Sequence, residues 1–162
     1  MDGFFNKELG FSLIELIIII ILVGILGVYA TEKFPGSVVN LDAQAQELSN
    51  DIRFAQSLSM TKGQRYRFVK LSSTTYQILN AAGSAVILGT GNNIITLNTG
   101  ITFGTLSNLP NSLVAFDGNG TPYVDTALPG TTLTASASIP MTDGVNTKTV
   151  LISPETGRVS IQ

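Results

Sequence analysis

The sequence predicts an α+β fold: a long N-terminal helix, apolar in its first half and amphipathic in its second, packed on an antiparallel β-sheet domain. Three patterns carry that reading. Residues 11–30 form an apolar run whose only charge is Glu15. Between positions 41 and 58, apolar residues recur every three or four places, the period of one helix face. After Gly63 the period falls to two, in short segments separated by Gly, Asn and Asp turn signals, as in antiparallel strands.

The apolar run has the roughly 20-residue length that a transmembrane helix needs. A carboxylate at the centre of such a helix costs about 2.5–3.5 kcal/mol on insertion scales. Near the end the cost is smaller, and each central Ile or Leu returns roughly 0.3–0.6 kcal/mol, so the segment enters a bilayer with Glu15 in place. Pro35-Gly36 then interrupts the helix, because proline lacks a backbone donor and clashes with the preceding turn. The amphipathic helix, about 40–62, places Leu41, Ala45, Leu48, Ile52, Ala55 and Leu58 on one face. Asp42, Glu47, Asp51 and Arg53 fall on the solvated remainder, as an amphipathic helix requires. Gly63 suits the left-handed conformation that ends a helix.

The sheet occupies residues 65–162. Strands are expected at 65–71, 75–79, 85–88, 101–103, 112–116, 122–124, 131–139, 148–152 and 158–161. Turn signals lie at 82–84, 117–120, 143–144 and 156–157. The second half of the helix should cover one face of this sheet.

Composition narrows the function. Once the first 30 residues are set aside, 132 remain, enough for one domain with a core. Nine basic and eleven acidic residues leave a net charge of −2, so no global field selects nucleic acid. The chain has neither cysteine nor histidine, which removes disulfides, thiolate metal sites and the common nucleophile–base pairs. It is read as a non-enzyme that holds no cofactor and no metal. Asp117-Gly118-Asn119-Gly120 lacks the spaced carboxylates of a calcium loop and reads as a hairpin turn.

The junction Gly10-Phe11-Ser12-Leu13-Ile14-Glu15, followed directly by the apolar run, resembles the cleavage motif of the type IV prepilin family. The resemblance implies a leader at 1–10, a membrane or filament-core segment at 11–30, and a periplasmic pilin-like domain at 31–162. It implies that a prepilin peptidase cuts between Gly10 and Phe11 and methylates the amino group of Phe11. Glu15 would then serve assembly, pairing with the terminal ammonium of a neighbouring subunit. A buried ion pair of this kind is best attested as a means of fixing register. The segment LSNDIRFAQSLSMTKGQ at 48–64 is similar to the helix end of H-type minor pseudopilins of type II secretion, and of minor pilins of MSHA-type and other type IV pili. Ala115-Phe116-Asp117 with Gly120 and Pro122, and ISPETGRVSI at 152–161, are similar to their central hairpin and final strand. The implied protein is a structural subunit of a pilus or pseudopilus, anchored once in the inner membrane. Its partners would be the peptidase, the membrane and other pilins.

Two other readings compete. Arg65, Arg67 and Lys70 alternate with Tyr66 and Phe68, and cations between aromatics can hold single-stranded nucleic acid, as in a DNA-binding minor pilin. In a strand, however, Tyr66 and Phe68 share one face and Arg65 and Arg67 the other; the aromatics then read as core and the arginines as a solvated face. Alternatively, the run ending Val28-Tyr29-Ala30 is a signal peptide. The mature chain would then be a secreted β-domain beginning at Thr31, but the leader's single Lys7 against Asp2 and Glu8 makes no basic region.

Overall fold

The computed structural model describes residues 12–31, 36–88, 91 and 93–162. It divides into two compact units, Met1–Gly36 and Ser37–Gln162. In the first, helix α1 spans Leu13–Thr31. Its first turn opens on the Ser12 carbonyl, which accepts from the amides of Glu15 (3.0 Å) and Leu16 (3.2 Å). The expected break at Pro35 falls outside the described residues.

Helix α2, Gly36–Lys62, supplies the apolar face of the second unit. Leu41, Ala45, Leu48, Ile52 and Ala55 are fully buried, while Leu58 is half-buried. Each fully buried Leu or Ile contributes about 1.5–3 kcal/mol relative to exposure. The helix stops at Gly63, whose φ of +63° is the left-handed cap that glycine takes without strain.

The strands form two sheets rather than the single one expected. The first has the order β3-β2-β1-β5-β6 and contains β1 (Tyr66–Lys70), β2 (Thr75–Leu79), β3 (Ile95–Thr96), β5 (Leu113–Phe116) and β6 (Pro122–Tyr123). The second, ordered β4-β7-β8-β9, contains β4 (Thr102–Phe103), β7 (Ala137–Thr142), β8 (Thr147–Ile152) and β9 (Val159–Ile161). All paired strands are antiparallel. One hydrophobic core joins the buried face of α2 to side chains of both sheets. At its centre Phe68, Tyr76 and Phe103 pack with ring centroids 5.5, 6.4 and 6.0 Å apart, within the range of favourable aromatic pairs.

The two-sheet division explains where strand expectations fail. No strand spans 131–139. Thr132 bridges Tyr123 of the first sheet, and β7 begins only at Ala137 in the second. The chain changes sheet inside a segment that local pattern reads as continuous. At 85–88 only Ala85 bridges Leu79, and the outer position beside β2 is taken by β3, a two-residue strand too short to announce itself by alternation.

Candidate assembly site

α1 is apolar on every side. From Leu13 to Leu26 its described large apolar side chains are exposed, ranging from 44% at Ile19 to 75% at Leu13. A helix that is hydrophobic all round needs an apolar environment on every face. Glu15, in the first turn, is its single charge, and the positive end of the helix dipole favours a carboxylate there. Gly10 and Phe11 lie outside the described residues. Among the described residues no helix is long and apolar enough to cross a membrane; α1 is 19 residues long, but its side chains are described only as far as Leu26.

A second constellation lies at the end of α2. Gln56 Nε2 donates to the carbonyls of Gly120 and Thr156, both at 2.9 Å. It thereby ties the 117–120 hairpin and the 153–157 loop to the helix. Gly157, with φ of +63°, sits at this knot: a Cβ there would meet Gln56 Nε2 at 2.6 Å, Gly120 O at 2.7 Å and Phe116 Cε1 at 2.9 Å. Nearby, buried Ser59 accepts the amide of Tyr66 at 3.0 Å, and Arg53 donates to the Val159 carbonyl at 2.8 Å. The three segments that suggest a family, at 48–64, 115–122 and 152–161, therefore meet around one glutamine. The Asp117 turn is a hairpin: Asp117 Oδ1 accepts the amides of Asn119 and Thr121, both at 2.9 Å.

Asp51 departs from the solvated face expected of it, and a second polar group on α2, Gln44, is buried. Asp51 Oδ2 accepts the Tyr76 hydroxyl at 2.6 Å in a half-buried position. Burial raises the Asp51 carboxyl above its usual range, against the lowering effect of the Tyr76 hydrogen bond. Burial, and then the bond to Asp51, likewise raise Tyr76. Gln44, 1% exposed, accepts the Asn98 amide at 2.8 Å and donates to Glu47 at 2.6 Å. Polar residues on a buried helix face were the available signal for Gln44, whereas the Asp51 partner lies 25 positions away.

The basic cluster is dispersed by its contacts. Arg65 stacks 3.9 Å from the Tyr123 ring centroid and donates to the carbonyls of Ala127 and Pro129. Lys70 donates to the Gly104 carbonyl at 3.2 Å and lies 5.7 Å from the Phe103 ring centroid. Arg67 lines a groove of about 400 Å³ with Arg65, Ala115 and Leu128. Phe68 is fully buried and Tyr66 half-buried, so the aromatics are core and present no stacking platform.

Residues 44–157 match the family described as type II transport protein GspH. This chain belongs to the GspH family. The match covers α2 from Gln44 onward and every strand but β9, and leaves α1 outside it. No curated protein sequence matches the chain. Solved structures share the fold. The type IV minor pilin FimU of Pseudomonas aeruginosa strain PAO1 has a TM-score of 0.55 at 15% identity, over 78% of this chain and 90% of that one. A second crystal form of FimU gives 0.52 at 16% identity, over 75% and 92%. The minor pseudopilin EpsH of the Vibrio cholerae type 2 secretion system gives 0.56 at 11% identity, over 76% and 96%. An N-terminal helix with antiparallel sheets is the pilin fold, and this GspH-family chain is a structural subunit of the minor pilin and pseudopilin class.

Proposed function

We propose that this GspH-family subunit is made with a leader at 1–10, which a prepilin peptidase removes between Gly10 and Phe11 while methylating the Phe11 amino group. α1 then anchors the chain once in the inner membrane, with residues 31–162 in the periplasm, until the subunit joins other pilins in a type II secretion pseudopilus or a related pilus. The chain is acted on and assembled, and catalyses nothing itself.

The observation that carries this reading is α1. Its apolar side chains face outward from Leu13 to Leu26, with Glu15 alone in the first turn. Lipid satisfies such a helix before assembly, and the apolar interior of a filament satisfies it afterwards. In that interior Glu15 needs a cation, and the new amino terminus of a neighbour supplies one without adding net charge. Mass spectrometry of the mature amino terminus tests the reading: methylated Phe11 is expected, and Thr31 would replace it with the signal-peptide alternative.

A further inference from the structure

The outer face of α2 is not uniformly polar. Phe54 is 43% exposed on it. One turn earlier, on the same side, Asn50, Glu47 and Ala43 line an open groove of about 590 Å³, because residues three and four apart share a helix face. Leu88 and Ile95 form the other wall, and their chain neighbours Ile87 and Ile94 are 65% and 49% exposed. The groove is therefore apolar on one side. On the other it presents two carboxylates one helical turn apart, Glu47 and Asp51.

Neither carboxylate meets a cation. Among the described residues the one salt bridge is Lys148 to Asp42. From Leu71 to Phe116 the sequence contains no charged residue, so the wall that carries Leu88 and Ile95 supplies none. Arg53, the nearest basic residue along α2, is held by Asn50 Oδ1 at 3.3 Å and the Val159 carbonyl at 2.8 Å. Glu47 Oε2 accepts from Gln44 and Asp51 Oδ2 from Tyr76, both at 2.6 Å. The second oxygen of each carboxylate has no donor among the described residues. Like charges at this spacing repel. Burial raises the Asp51 carboxyl, the Tyr76 bond lowers it, and Glu47 raises it further.

Such a groove fits a lysine or arginine set among apolar side chains. The aliphatic stem lies on Leu88 and Ile95 while the cation reaches the two free oxygens. Phe54 extends the same surface with the kind of aromatic that anchors interfaces. A second copy of this chain is a poor occupant. A two-fold contact would set the carboxylates against themselves, and a head-to-tail one would repeat without end, unlike a minor subunit. Anionic lipid and nucleic acid are repelled.

We propose that this groove and Phe54 dock a different subunit of the filament, which lays a lysine or arginine flanked by apolar side chains on Glu47 and Asp51. This deepens the filament-subunit reading and rests on it.

The full-length chain is expressed in a host that assembles the filament, with photoreactive benzoylphenylalanine in place of Gln46 on the groove wall. Irradiation should join it to a different subunit whose own sequence opens with a prepilin-type junction. Glu47→Gln together with Asp51→Asn should cut the adduct about threefold to tenfold, the order expected for one or two partly exposed ion pairs, and Phe54→Ala about tenfold. Both amide replacements keep the acceptors that Gln44 and Tyr76 use, so the fold survives. Asp42→Asn, off the groove, should leave the yield unchanged. Changing the basic residue of the joined peptide to Glu should lose the adduct, and Glu47→Lys should restore it. The docking is overturned by an adduct with a second copy alone or with a protein outside the filament. It is also overturned by an adduct that neutralising both carboxylates leaves unmoved, or that Asp42→Asn lowers equally. Amino-terminal mass spectrometry of the same cells reads processing separately. Phe11 termini in filaments without the adduct sink the docking alone; an uncut leader with the adduct sinks the processing step alone; Thr31 termini without it sink both.

Discussion

α1 and α2 are consecutive helices of 19 and 27 residues, and they satisfy their apolar side chains in opposite ways. α2 divides its surface: Leu41, Ala45, Leu48, Ile52 and Ala55 are fully buried in a core made with both sheets, and its remaining face is largely charged or polar. α1 makes no such division, and its described apolar side chains remain exposed. Hydrophobicity alone does not say where a helix finds its partner. Periodicity does: an apolar stripe implies one partner surface, while apolarity all round implies an apolar surround. α2 finds its partner inside its own unit. For α1 we infer lipid and then neighbouring subunits.

The comparison breaks most visibly at Ile52. In a chain beginning at Ser37, Ile52→Asp places an unpaired carboxylate in the core and should cost about 3–5 kcal/mol or prevent folding. A thermal transition at the wild-type temperature would mean that α2 does not depend on the sheets. Ile20→Asp in α1, at a position 63% exposed, should leave the thermal transition of the folded domain unchanged and reduce recovery of the full chain in membranes.

Gly157→Ala should be next, at about 2–4 kcal/mol, because the left-handed backbone and the added Cβ strain the knot together. Gln56→Ala removes the donor that two carbonyls share and should cost about 1–2 kcal/mol. Denaturant titration orders these variants; a larger loss for Gln56→Ala than for Gly157→Ala would show that hydrogen bonding, rather than close packing, holds the loops to α2.

The Asp51–Tyr76 bond gives α2 a pH signature. Both groups have raised pKa values in the fold, so each holds its proton more tightly folded than unfolded. Their contribution is fully present below the unfolded values of 3.8 and 10.0. The Asp51 part fades as pH rises above 3.8, and the Tyr76 part as pH rises above 10.0. Tyr76→Phe should cost about 1 kcal/mol at neutral pH and flatten the loss of stability above pH 10. An unchanged alkaline slope in melting temperature would remove Tyr76 as its source.

Glu15→Gln should have the smallest effect on folding and a selective effect elsewhere. The domain's melting temperature should not move, because Glu15 belongs to the other unit. Membrane insertion should be unimpaired, since loss of a charge eases partitioning, while filament incorporation should fall. Normal cleavage with full incorporation would contradict the assembly role.

Sequence alone determined what depends on near neighbours. The apolar stripe of α2, its stop at Gly63, the Asp117 turn and the antiparallel character of the strands all rest on spacings of a few residues, and the structure places them as that pattern predicts. Only the tertiary structure decided matters that depend on distant partners. It divided the strands between two sheets, since Thr132 pairs with Tyr123 while β7 pairs with β4 and β8. It set Arg65 on Tyr123 and the 127–129 carbonyls rather than in solvent. It turned Asp51 from a surface charge into the acceptor for a buried tyrosine, and it made Gln56 the tie between loops 64 and 100 residues away. Alternation along a strand shows which face is buried, but not which strand lies beside it; that is settled by the packing of side chains remote in sequence around one core.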